Sequence, residues 1–214
     1  MITTSNSQIA VSAHTPFYNK KKLPSNTKKG KSFFLSGPKA LHNALFQNNT
    51  PDYSAWNKLY SADLWKNKFF APRKFAEDLA TIPDILLNTN RIIITTQPLY
   101  FYRKRKDSLL NTPYNKEKTE LLEIAENLLE KISTKDKRLI PAAENTLLSA
   151  SFSILWKTPD TEEFSDVKKR AYKHILRLRF KSLFDTRTRF RNKAAVLFSL
   201  LGKRFLIFAL RRFG

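Results

Sequence analysis

Along residues 116–132 the apolar positions Leu121, Leu122, Ile124, Ala125, Leu128, Leu129 and Ile132 recur at intervals of three and four, with Glu117, Glu120 and Glu123 near the N-terminal end. This is the period of an α-helix with one buried face, and the acidic groups suit the positive end of its dipole. The same period predicts helices over residues 142–156 and 167–184, with the acidic stretch 158–166 (TPDTEEFSD) as a solvated linker that caps the second. Earlier in the chain, Ser36 or Gly37 before Pro38 marks a helix start, and Leu41, Ala44 and Leu45 share a face. Residues 53–70 set Trp56, Leu59, Tyr60 and Leu64 at near-helical spacing on one buried side. Residues 75–87 read as another helix, in which Pro83 permits a start or a kink. The β-branched run 91–96 (RIIITT) has strand length, and Pro98 is expected to end it.

Both ends of the chain lack this regularity. Residues 1–34 are polar, with Ile9–Val11 as the one ordered seed in a segment read as loop or weak strand. Residues 187–214 hold two apolar blocks, 194–201 and 205–210, separated by Lys203 and Arg204, and neither reaches the roughly 20 apolar residues that span a bilayer. As one helix this segment puts Lys193, Lys203, Arg204, Arg211 and Arg212 on one side and Val196, Leu197, Leu200, Ile207 and Phe208 mainly on the other. A basic amphipathic helix of this kind lies at an anionic membrane surface, or packs on its own domain with a solvated basic face.

Charge changes the picture next. Among 214 residues, 39 Lys and Arg face 18 Asp and Glu, for a net charge of +21. Such a surface attracts nucleic acid, an anionic leaflet or a phosphorylated substrate. The nucleic-acid reading rests on this charge and on the basic helix 168–181, because no zinc-finger spacing, zipper or helix-turn-helix pattern accompanies them. Zero cysteines exclude disulfides, a thiolate nucleophile and zinc–thiolate sites. His14, His42 and His174 make no ligand motif, so no metal site is expected within the chain. Residues 1–12 lack the basic and apolar regions of a secretory signal, and a cytoplasmic location is the expectation.

Few carboxylates remain for chemistry. Glu77 and Asp78 adjoin in FAEDLA, where one of them can serve as a general base and either can cap a helix. Tyr102, Arg103, Lys104, Arg105 and Ser108 follow the strand; their cations suit a leaving diphosphate, or form a solvated loop. Trp56, Tyr60, Tyr100 and Tyr102 can stack on a sugar ring or fill a core.

Taken in order, the stretches AWNKLYSADLW (55–65), FFAP (69–72), Glu77–Asp78, the strand 91–96 and QPLYFYRKRKDSLLN (97–111) resemble the second half of the catalytic domain of family 2 glycosyltransferases. These are the bacterial enzymes that build lipopolysaccharide, capsule and other surface polysaccharides. Residues 35–46 resemble the segment that precedes it. The resemblance implies an α/β chain with a partial GT-A type domain at 35–112, after a weakly ordered segment 1–34 and before a mostly helical region 113–214. It implies that Asp78 takes the proton from the acceptor hydroxyl, with Glu77 beside it. It further implies substrate contacts for Trp56, Lys58, Tyr102, Arg103, Arg105 and Ser108. Its partners are a nucleotide-sugar donor and a glycolipid or oligosaccharide acceptor at the cytoplasmic face of the inner membrane.

One departure from the family pattern is large. Before Ala55 there is a single aspartate, Asp52, where the family carries a nucleotide-binding half with an Asp-x-Asp motif for a divalent metal. Residues 15–24 (TPFYNKKKLP) are similar to the family's Pro-x-Tyr-Asn segment but are set aside, since no series of apolar strands follows. The expectation is therefore an acceptor-side chain, truncated and inactive alone or completed by a separate N-terminal half. Mg²⁺ or Mn²⁺ enters only with that half. The alternative from another class is a non-enzymatic basic protein of a membrane surface or of nucleic acid.

Overall fold

The computed structural model describes residues 2–18, 29–47, 51–72, 75–106, 108–109 and 112–213. The chain is mixed α/β and forms two units, one from residues within 1–44, 49–71 and 81–113, the other from residues within 45–48, 72–80 and 114–214. After a short turn of helix, α1 (Ile2–Ser5), the first unit builds a sheet from β1 (Ile9–Phe17), β2 (Ser32–Leu35), β3 (Lys58–Tyr60) and β4 (Ile92–Arg103). The strand order is β2-β4-β1-β3. The central pair β1–β4 is parallel, and both outer strands are antiparallel to their neighbours.

Ile9, Val11, Ile92 and Ile94 are fully buried, as are Ala40 and Leu41 of α2 (Gly37–Phe46) and Ile82, Ile85 and Leu86 of α3 (Glu77–Leu87). Gly37 is required by a close approach: its N–H donates to Thr89 O at 3.0 Å, and a Cβ would stand 1.9 Å from Leu86 O. Helix α3 runs through Pro83 instead of starting there.

Three expectations change. The polar N-terminal segment supplies the long central strand β1: β3 pairs with the Ile9–Val11 seed alone, and the ladder to β4 carries the backbone on to Phe17. Pro98 does not end β4. It pairs with Ala13 where β4 carries extra residues against β1, Thr96 and Gln97 before the proline and Leu99 after it, a place at which a missing N–H costs no regular ladder bond. Residues 53–70 are not one helix. They form a turn, β3 and a 3-10 turn at Ala62–Trp65, so Leu59 projects outward while Leu64 is buried.

The second unit is a bundle of α4 (Lys116–Lys135), α5 (Ile140–Lys157), α6 (Ser165–Phe184), α7 (Phe190–Leu200) and α8 (Lys203–Phe213). Its core joins Leu122, Leu147, Leu148, Leu155, Ile175, Leu178, Val196 and Leu206. Asn115 caps α4 by accepting from Lys118 N. A buried polar network crosses the bundle: Asn192 Nδ2 donates to Asn145 Oδ1 and Ser149 Oγ, while Asn145 Nδ2 and Thr146 Oγ1 donate to Leu45 O. Leu45 is in the last turn of its helix, where carbonyls lack intrahelical donors. Buried Lys168 donates to Thr158 O and Pro159 O and pairs with Asp160, which also accepts from Arg211 at 3.1 Å.

The C-terminal segment departs from the single helix expected of it. Gly202, at φ +100°, breaks it into α7 and α8, with Leu201 N and Gly202 N returning to Phe198 O and Ser199 O.

Candidate functional site

In the sheet unit, the approach to β3 is organised by one buried ammonium. Lys58 Nζ lies 3.1 Å from Asp52 Oδ1, 2.6 Å from Ser54 O and 2.8 Å from Asn57 Oδ1. Burial alone would raise the pKa of Asp52, but the Lys58 charge and the hydrogen bonds from Ser54 and Lys58 outweigh it and hold the carboxyl below the usual range. Asn57 ties the loop to the central strand, its Nδ2 donating to Ser12 O at 2.8 Å and its O accepting from Ser12 N at 3.1 Å.

This clamp presents Trp56. Its ring stacks on Tyr102 at 4.6 Å between centroids, meets Tyr100 at 4.9 Å and takes the edge of His14 at 4.8 Å. His14 also lies edge-on to Tyr102, at 5.9 Å. A cavity of about 350 Å³ adjoins two of these rings, bounded by Val11, Ser12, Trp56, Lys58, Thr95 and Tyr100 among others. The volume is at the lower end of small-ligand sites, and an apolar wall with hydroxyl and amide groups at its edge is the usual make-up of one.

Of the residues expected to bind substrate, Trp56 and Tyr102 therefore meet, although 45 positions separate them in the chain (102 − 56 − 1). Lys58 lines the cavity, yet its ammonium turns into its own loop and holds the wall in place. Arg103 ends β4 and is exposed, Arg105 is exposed just beyond, and Ser108 is half-buried. Lys104 N donates to Phe17 O at 2.8 Å, which keeps the start of this basic stretch on the sheet.

Glu77 and Asp78 open α3, the first exposed and the second half-buried. Ala76 before them adopts φ +58°, a left-handed conformation that costs a residue with a Cβ about 1 kcal/mol or more. Ala76 O nevertheless accepts from Ala80 N at 3.1 Å, so the strained residue sets where the helix begins. Among the described residues, no group of three or more His, Asp or Glu gathers as a metal site.

Of the five cations expected at a membrane, Arg204, Arg211 and Arg212 are exposed on α8, while Lys193 and Lys203 are half-buried. Lys203 Nζ lies 5.8 Å from the Tyr172 ring and Arg211 reaches Asp160.

His14 is the member of the aromatic wall that sequence reading passed over. It sits in a polar strand after a register irregularity, and neither spacing nor neighbours mark it. No protein-family model matches the chain, and no curated protein matches it.

Proposed function

We propose that the chain is the acceptor-side part of a GT-A type glycosyltransferase, moving a sugar from a nucleotide-sugar to a lipid-linked or surface-polysaccharide acceptor and needing a donor-binding half from elsewhere. The observation that carries the reading is the meeting of Trp56 with Tyr100 and Tyr102 beside a cavity. These residues come from the two stretches that most resemble the family, and aromatic faces flanked by hydrogen-bonding groups suit a sugar ring.

In this reading Asp78 accepts the proton of the acceptor hydroxyl as it attacks the anomeric carbon, and Glu77 is its neighbour at the helix start. Arg103 and Arg105 offset charge on the departing diphosphate. In this reading a Mg²⁺ or Mn²⁺ ion comes with the donor half. Exposed Phe33, Phe34, Leu59, Leu99 and Phe101 on the sheet unit provide apolar surface for such a half. The chain works as a peripheral protein of the inner membrane's cytoplasmic face. No helix among the described residues is long and apolar enough to cross a membrane.

Saccharide binding tests the reading without a donor half. Intrinsic tryptophan fluorescence titrated with oligosaccharides released from a bacterial glycolipid extract should saturate for the native chain and lose its response in Trp56→Ala. A folded native chain that binds none of them, or binding indifferent to Trp56→Ala, rejects it. With a separate donor-binding half that restores transfer, Asp78→Asn should abolish transfer and leave saccharide binding within about twofold.

A further inference from the structure

The last two helices of the bundle leave large apolar side chains in water, and the first of them buries two polar ones. Helix α7 buries Asn192 and Ser199 with Ala195 and Val196, and turns Phe190, Leu197 and Leu200 outward. Past the bend, α8 buries Leu206, Ala209 and Leu210 and turns Phe205 and Phe208 outward. Phe190 is 86% exposed, Leu201 66% and Phe208 63%. Ring contacts continue across the bend, from Phe198 to Phe205 at 6.0 Å and from Phe205 to Phe208 at 6.4 Å. Water does not favour this much apolar surface on one element, so a partner is called for.

Charge identifies the partner. Residues 186–214 hold eight Lys and Arg and no Asp or Glu, and Arg204 and Arg212 stand exposed on the same helix as Phe205 and Phe208. A second copy of a +21 chain would bring like charge to the contact. Single-stranded nucleic acid rewards aromatic faces, but Leu197, Leu200 and Leu201 have none to offer. Hydrocarbon rewards all of these side chains, and anionic headgroups reward the arginines. Each helix has 11 residues, about 16 Å of length, and thus suits the surface of a bilayer rather than its thickness.

We propose that the corner formed by α7, Gly202 and α8 is the element that seats the chain on an anionic lipid bilayer. Leu197, Leu200, Leu201, Phe205 and Phe208 enter the acyl boundary, and Arg204 and Arg212 meet lipid phosphates. This deepens the membrane part of the function proposed above: insertion comes from a two-helix corner, and the apolar groups at the bend lead it.

The test uses the full chain with vesicles of phosphatidylcholine alone or mixed with phosphatidylglycerol, in the absence of any sugar. Native chain should sediment with the mixed vesicles and bind the neutral ones about tenfold or more weakly, and Leu201→Asp/Phe208→Asp should lose about tenfold or more on the mixed vesicles. Because the chain has no cysteine, Leu201→Cys carrying an environment-sensitive dye reports on the bend alone. Its emission should rise and shift to the blue on mixed vesicles, an answer that stands even if the double variant misfolds. Undiminished binding by the folded double variant, or a dye that stays in water while the chain is vesicle-bound, overturns the proposal. So does native chain that self-associates through this face and ignores vesicles, or that binds a short single-stranded RNA in preference to them. No sugar is present, so loss of the membrane site leaves the saccharide-binding result untouched, and the reverse also holds.

Discussion

One aromatic cluster in each unit shows a different way of presenting rings to a partner. In the sheet unit Trp56 meets His14, Tyr100 and Tyr102, and with Tyr100 it borders a cavity, held by a loop whose one ammonium is fully satisfied. In the helical unit Phe180, Phe184, Phe190 and Phe208 point outward, beside arginines. The difference teaches where selectivity resides. Rings fixed against each other define a shape for a small ligand, whereas exposed rings on helix surfaces recognise a medium and charge rather than a shape.

That contrast can be broken experimentally, beginning with the largest effect. Leu147→Ala empties a fully buried position of the bundle and should cost about 3 kcal/mol. If the units are separate in stability, urea should remove the variant's helical circular dichroism before the near-ultraviolet signal of the Trp56 cluster; one shared transition would show that they unfold together. Gly37→Ala should cost the sheet unit about 2–3 kcal/mol, since its Cβ would meet backbone atoms at 1.9 and 2.3 Å. Near-ultraviolet dichroism in urea follows that loss. Asn145→Ala leaves Leu45 O and Asn192 short of partners and should cost about 2 kcal/mol, read by the helical signal.

Asp52→Asn sharpens the comparison through pH. The folded carboxyl titrates below its ordinary value of 3.8, so its contribution is present above that value and fades as pH falls through the folded pKa. Its side chain is 45% exposed, which screens the pair and limits the effect at neutral pH to about 1 kcal/mol. The gap between native and variant stabilities should close in acid, and a gap that persists well below pH 3.8 would contradict the ion-pair account. Gly202→Ala comes last, at about 1 kcal/mol, because only its φ of +100° resists and nothing lies within 4 Å of the added carbon. Thermal melting of the bundle would show it.

How much could be read beforehand follows from the range of the forces involved. Helices α4, α5 and α6 were legible within three residues at either end, since their apolar period is local and long enough to be distinctive. The strand at Ile92–Thr95 was legible from its β-branched run, whereas its continuation past Pro98 was not, because the bulged stretch of β4 that admits a proline is fixed only by its pairing with β1, far away in the chain. Residues 53–70 misled because near-helical spacing of Trp56, Tyr60 and Leu64 also fits a strand followed by a tight turn, and pairing with β1 chose the strand. At the site, the aromatic content of Trp56, Tyr100 and Tyr102 fits stacking and core burial equally, and His14 stands out only as a histidine without a ligand motif.

By itself, then, the sequence determined the mixed α/β class, the amphipathic helices of the second half, the excess of positive charge and the aromatic content of residues 53–102. Each depends on composition or on contacts a few positions apart. Tertiary structure alone decided that β1 runs beside β4, that Lys58 is sealed inside its loop, that His14 joins Trp56, and that α7 buries Asn192 and Ser199. Those outcomes depend on which backbone donors and apolar faces meet across tens of residues, and no local pattern encodes the meeting.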